Sequence, residues 1–154
     1  MDIEFEFKLS KPLAYSSNGH EQETDFVLLK APTAYERKEC RKVFQMFLRA
    51  TRNFNDQVPD DADTGQAQQM AVEDIPIEAI LGVIGASDVD LDEFLSTIEK
   101  ILVKTNGSRA LIGGETPMTQ VYLGRLNMAD QNDMCLSYFR NFILRSQSRN
   151  RMSS

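Results

Sequence analysis

The chain opens on a strict alternation in which Ile3, Phe5, Phe7 and Leu9 are separated by Asp2, Glu4, Glu6 and Lys8, the period of a strand with one buried face. After the turn formers Pro12, Asn18 and Gly19, the run from Thr24 to Lys30 is β-branched and aromatic enough for a second strand. The reading is an antiparallel hairpin of residues 2–9 and 24–30 with a long polar loop. A hairpin alone is marginal in water, so it must pack on helices.

At Pro32 the period changes from 2 to 3.6. Thr33 and Glu36 have capping-box spacing, and Cys40, Val43, Phe47, Ala50 and Phe54 form one stripe of a helix of about five turns. Its other face carries Arg37, Lys38, Arg41, Lys42, Arg49 and Arg52. Pro76 to Gly85 reads as a short apolar helix with proline in its first turn. Asp88 or Asp90 caps the next, in which Leu91, Phe94, Leu95, Ile98, Ile101 and Leu102 keep helical spacing up to Asn106-Gly107. Gly113-Gly114 and Pro117 break any period in residues 108–126, which read as a loop and a short irregular or helical piece.

Asn127 to Arg145 is the stretch around which the rest must be arranged. Met134, Cys135, Leu136, Tyr138, Phe139, Phe142, Ile143 and Leu144 cover about three quarters of a helix circumference. Such a helix is either wrapped by its own domain or keeps an apolar flank for a partner. The expected fold is α+β and predominantly α: an N-terminal antiparallel hairpin packed on three to four helices. Residues 1–146 form one globular domain (1–31 hairpin, 32–54 long helix, 55–71 acidic linker, 72–146 helical part), followed by a flexible tail, 147–154.

Composition narrows the classes. With 154 residues the chain can bury a sizeable core. No apolar run reaches the roughly 18 residues of a membrane span, and the acidic start is unlike a signal peptide, so a cytoplasmic protein is expected. The net charge of −6 is uneven: residues 53–99 hold twelve acidic and no basic side chains, while residues 100–154 hold eight basic and three acidic. An acidic block is ordinarily a solvated face, although it can also mimic nucleic acid. The basic residues of the first long helix, with Arg140, Arg145, Arg149 and Arg151, more simply offset this block than bind phosphate.

The inventory points away from catalysis and cofactors. His20 stands alone in the expected hairpin loop, and Cys40 and Cys135 sit in apolar helical patterns as buried thiols. Gly113-Gly114-Glu115 lacks the lysine and hydroxyl residue of a phosphate loop. Asp88, Asp90, Asp92 and Glu99 match positions 1, 3, 5 and 12 of a calcium loop, but Glu93 stands where the loop needs glycine. Capping and first-turn residues of a helix explain the same letters. Asp60, Asp61 and Asp63 are a poorer imitation. No metal site is expected.

The order of features resembles the tail assembly chaperones of long-tailed bacteriophages. Phe26 to Glu36, FVLLKAPTAYE, is similar to that family's strand followed by an "aPT" helix start; Leu126 to Asp130 and Tyr138 to Leu144 are similar to its "L…aD…Y…F" ending. The N-terminal hairpin departs from the small all-helical members. The resemblance implies a protein of the host cytoplasm that binds the tape measure protein and keeps its long helix soluble until tail tube subunits polymerise around it, without catalysis or cofactor. It also implies a ribosomal frameshift after about Ser146, giving a longer form that recruits tube subunits. The residues expected to bind the tape measure helix are Met118, Met128, Met134, Leu136, Tyr138 and Leu144, methionine supplying an adaptable apolar surface. The alternatives are an acidic phage-encoded inhibitor acting through the 53–99 carboxylates and a structural subunit of the virion.

Overall fold

A computed structural model describes residues 4–57, 75–103 and 108–145. The acidic linker beyond Gln57, the carboxylates of Asp60, Asp61 and Asp63, and the tail 147–154 lie outside the described residues. The fold is α+β as expected, but among the described residues the hairpin is part of a four-stranded antiparallel sheet in the order β1-β2-β3-β4, and the α-helices number five rather than three to four.

The hairpin is longer and tighter than the hydrophobic pattern predicts. Strand β1 runs Glu4–Ser17 and β2 His20–Lys30, joined by a two-residue turn. Asn18 and Gly19 both have positive φ, 53° and 80°, so this Asn-Gly pair makes the primed turn whose twist suits a hairpin. The other turn former, Pro12, belongs to a bulge. The register passes from Lys8↔Phe26 to Leu13↔Thr24, so residues 9–12 of β1 stand opposite Asp25 alone, a place where a residue without an N–H is tolerated.

Thr33 and Glu36 do not form the expected capping box. Ala34–Glu36 is a 3-10 turn, and the Thr33 hydroxyl donates to the Glu36 carboxylate rather than accepting a main-chain N–H. Glu36 is turned inward instead. Helix α1, Arg37–Gln57, buries Cys40, Val43, Phe44, Phe47 and Ala50 and exposes all six cations of its other face. Helices α2, Ile77–Gly85, and α3, Leu91–Leu102, follow.

Residues 108–126, expected as a loop and an irregular piece, complete the sheet. Strand β3, Ala110–Ile112, pairs with β2, and β4, Thr116–Pro117, returns through Gly113 and Gly114, both at positive φ. Beyond one turn of helix α4, Gln120–Leu123, Asn127 caps α5, Met128–Tyr138, its side chain accepting the N–H of Asp130 at 2.7 Å. The helix then widens into a π-helical segment, Phe139–Leu144.

One core joins these parts. Phe7, Val27 and Ile112 form a cross-strand row on the inner face of the sheet, with Leu29 and Ala110 in the row beside it. Helix α5 packs against α2, α3 and β1, while α1 packs against α2, α3 and the π-helical segment. Phe139 sits at the centre, its ring 5.1 Å from those of both Phe47 and Phe94. The apolar excess of the 127–145 stretch is therefore spent on neighbours within the chain, since α2 and α3 cover what the hairpin and α1 leave.

Candidate interaction surface

The six residues expected to form an open flank divide five to one. Met118, Met134, Leu136 and Tyr138 are fully buried and Leu144 nearly so, which corrects the expectation of a free apolar side on the closing helix. Met118 is drawn in by its main chain, whose N–H donates to the carbonyl of Ala110 and whose carbonyl accepts the hydroxyl of Ser108. Met128 alone is open, at 77% exposure, because it occupies the first turn of α5 ahead of the wrapped part.

The polar groups of the interior are structural in their geometry. Glu36, 1% exposed, receives the guanidinium of Arg109 at 2.8 Å, so the first turn of the helical half is tied to the residue preceding β3. Tyr138 lies near this pair with its hydroxyl buried and, among the described residues, without a hydrogen-bond partner. Burial, then the Cys40 and Glu36 charges, push its phenol far above the ordinary range. The Cys135 thiol is pushed up by burial and by Glu99, so the reactive thiolate is disfavoured. Asp130 is a buried carboxylate that accepts the Ser10 main-chain N–H at 3.1 Å and the Ser10 hydroxyl at 3.0 Å, latching β1 to α5.

The acidic letters of the calcium-like pattern have other occupations. Asp90 caps α3, its Oδ1 accepting from the main-chain N–H groups of Asp92 and Glu93, and Asp88 pairs with Arg49 at 2.8 Å. Among the described residues no group of three or more His, Cys, Asp or Glu is placed to hold a metal ion. His20 is an exposed residue at the start of β2 rather than of a loop. Among the described residues no helix is long and apolar enough to cross a membrane.

The surface that the hydrophobic pattern did not single out is the outward face of α2. This nine-residue helix, IEAILGVIG, buries Ile80 and Ile84 and holds Ile77, Leu81 and Val83 half-buried against the core. Its exposed side is Ala79, Gly82, Gly85 and then Ala86, at helical spacing, with Glu78 as the one charge within the helix. Surface helices normally turn charged residues outward. A Cβ added at Gly82 or Gly85 meets nothing within 4 Å, so no contact within the described chain requires glycine there. Gly82, inside the helix, nevertheless costs it about 1 kcal/mol relative to alanine. The letters were visible in the sequence, but the openness around them was not.

An acidic rim borders this face. Helix α2 packs on α5, whose Asp133 feels both Asp130 and Glu78; burial first, then these two charges, raise its carboxyl above the ordinary range. A smaller apolar area lies on the outer face of the sheet, where Leu28 and Leu111 are cross-strand neighbours, both half-buried, with Glu6 on one side and Pro117 on the other. In comparisons with known proteins, no family model matches, and neither a curated protein nor a solved structure matches the chain.

Proposed function

We propose that this chain is a non-catalytic binding protein of the tail assembly chaperone kind, which holds an amphipathic helix of a tape measure protein against the outward face of α2 in the host cytoplasm. The reading starts from the resemblance of the Phe26–Glu36 and Leu126–Leu144 motifs, and the observation that carries it into the structure is the uncharged stripe Ala79, Gly82, Gly85 and Ala86. Small residues let a second helix approach closely, and the half-buried Leu81 and Val83 beside them offer apolar walls. Glu78 and Asp133 at the rim suit a partner helix with cations along its edges. Reversible capture is what a chaperone displaced by tube subunits requires, and a single short helix face provides a small contact.

The acidic-mimic reading has less to work with in the described part of the 53–99 block. Asp88 and Glu93 already face Arg49 and Lys42, and Asp90 is occupied as a cap.

Co-expression with a tape measure fragment tests the proposal. The fragment stays soluble with the natural chain and precipitates with Gly82→Lys, a substitution that enters open space and leaves the melting temperature of the chain unchanged or raised. A fragment that precipitates in both cases, or stays soluble in both, overturns it.

A further inference from the structure

The outer edge of β1 changes character at Ser10. From Ser10 to Ser16 it is capped by the C-terminal part: Asp130 accepts the Ser10 N–H, Arg125 donates to the Ala14 carbonyl at 3.3 Å, and the Ser16 N–H donates to the Tyr122 hydroxyl at 3.1 Å. From Glu4 to Lys8 no hydrogen bond from the described residues caps it. The pairing of β2 decides which groups lie there. Lys30 N–H donates to the Arg109 carbonyl and Gly113 N–H to that of Phe26, so the main-chain groups of Phe26, Leu28 and Lys30 turn toward β3 and those of Val27 and Leu29 toward β1. Their β1 partners, Phe7 and Phe5, turn inward to meet them. Glu4, Glu6 and Lys8 are left with N–H and C=O pointing away from the sheet, and β1 is the end strand of the order. Ser10 has the same parity, and its N–H does point outward.

We propose that this edge pairs with the same edge of a second copy of the chain, antiparallel and about a two-fold axis at Phe7. In an isologous contact the outward-turned residues must lie opposite one another, which leaves few registers. Centring the axis on residue 5 sets Glu4 against Glu6, on residue 6 sets Glu6 against itself, and on residue 8 sets Lys8 against itself. Centring it on Phe7 sets Glu6 opposite Lys8 twice, with no like-charged pair in the ladder, which ends there because Ser10, opposite Glu4, already gives its N–H to Asp130. The inner face continues as well, Phe7 meeting Phe7 and Phe5 meeting Leu9. Alternating charges discourage pairing with arbitrary strands and accept a strand of complementary sign, which this edge supplies to itself. Met128 stands at the end of the open stretch, because its neighbour Asn127 donates to the Ser10 hydroxyl oxygen at 3.2 Å. The partner's Glu4 end would lie beside it. The two four-stranded sheets become one of eight.

Sedimentation equilibrium of the full chain over a wide concentration range tests this. The natural chain dimerises. Lys8→Glu gives up a 3.9 Å pair with Asp25 that is exposed on both sides, so it lowers the monomer's thermal stability only slightly, and it weakens dimerisation by about tenfold or more, since it creates two like-charged cross-strand pairs. The double exchange Glu6→Lys with Lys8→Glu restores the dimer. A chain that is monomeric throughout, a dimer indifferent to Lys8→Glu, or a double exchange that fails to restore what the single one lost overturns the proposal.

Discussion

The guanidinium of Arg109 meets the carboxylate of Glu36 at 2.8 Å, with Glu36 almost wholly removed from solvent. Removing one member of such a pair leaves the other buried and uncompensated, which costs about 3–5 kcal/mol where both are enclosed. Arg109 keeps some exposure, so Arg109→Met is expected to fall at the lower end, about 3 kcal/mol, and Glu36→Gln to cost less because the amide still accepts from Arg109. Urea denaturation of both variants measures the difference.

Phe139 is expected to be the most expensive single truncation of the core. It is fully buried between Phe47 and Phe94, and Phe139→Ala removes both ring contacts and leaves a cavity, a loss of about 3–5 kcal/mol. Phe139→Leu retains much of the volume and should lose less than half of that. Thermal unfolding followed by circular dichroism distinguishes the two.

Gly82→Ala is expected to stabilise the chain by about 0.5–1 kcal/mol. The added methyl enters open space and the helix loses a conformationally free residue. If the outward face of α2 receives a helix, the same substitution lowers affinity for it, so stability and binding move in opposite directions. Melting temperature and fragment retention on one set of preparations provide both readings.

Asp133 contributes a pH dependence of defined sign. Burial, Asp130 and Glu78 raise its pKa in the folded state, so folding favours the protonated form. The penalty is present in full above the raised value and is relieved as pH falls through it toward the ordinary carboxylate range. Asp133→Asn is therefore expected to stabilise at pH 7 by roughly a few tenths of a kcal/mol, the group being exposed enough for solvent to screen it. The advantage shrinks as the medium is acidified. Melts at pH 7 and below the carboxylate range test the sign.

The secondary structure that a period can reveal was legible. Alternation found the first half of β1, β-branched and aromatic residues the last half of β2, and helical spacing α1, α2, α3 and α5. Polar residues 10–23 hid the rest of the hairpin, because Pro12 belongs to a bulge and Asn18-Gly19 alone makes the turn. Strand β3 has three residues, too few to show any period, and is identified by pairing with β2. The 127–145 stretch announced too much apolar surface without saying what covers it. That depended on α2 and α3, whose docking is a matter of tertiary packing, and it turned five of six expected partner residues into core.

The enclosed position of α5 also has a consequence for biosynthesis. The elements that pack on it, α2, α3 and β1, and α1, which meets its π-helical continuation, are all made before it, and each leaves part of its apolar face waiting for residues 128–144. While the residues up to 103 emerge, Phe47 and Phe94 lack the Phe139 ring that both of them meet, and the sheet lacks β3. The two strands of the hairpin, and α1 with α2 and α3, have each other to pack on from the start, and the core that joins them closes only when β3 and residues 128–144 are delivered.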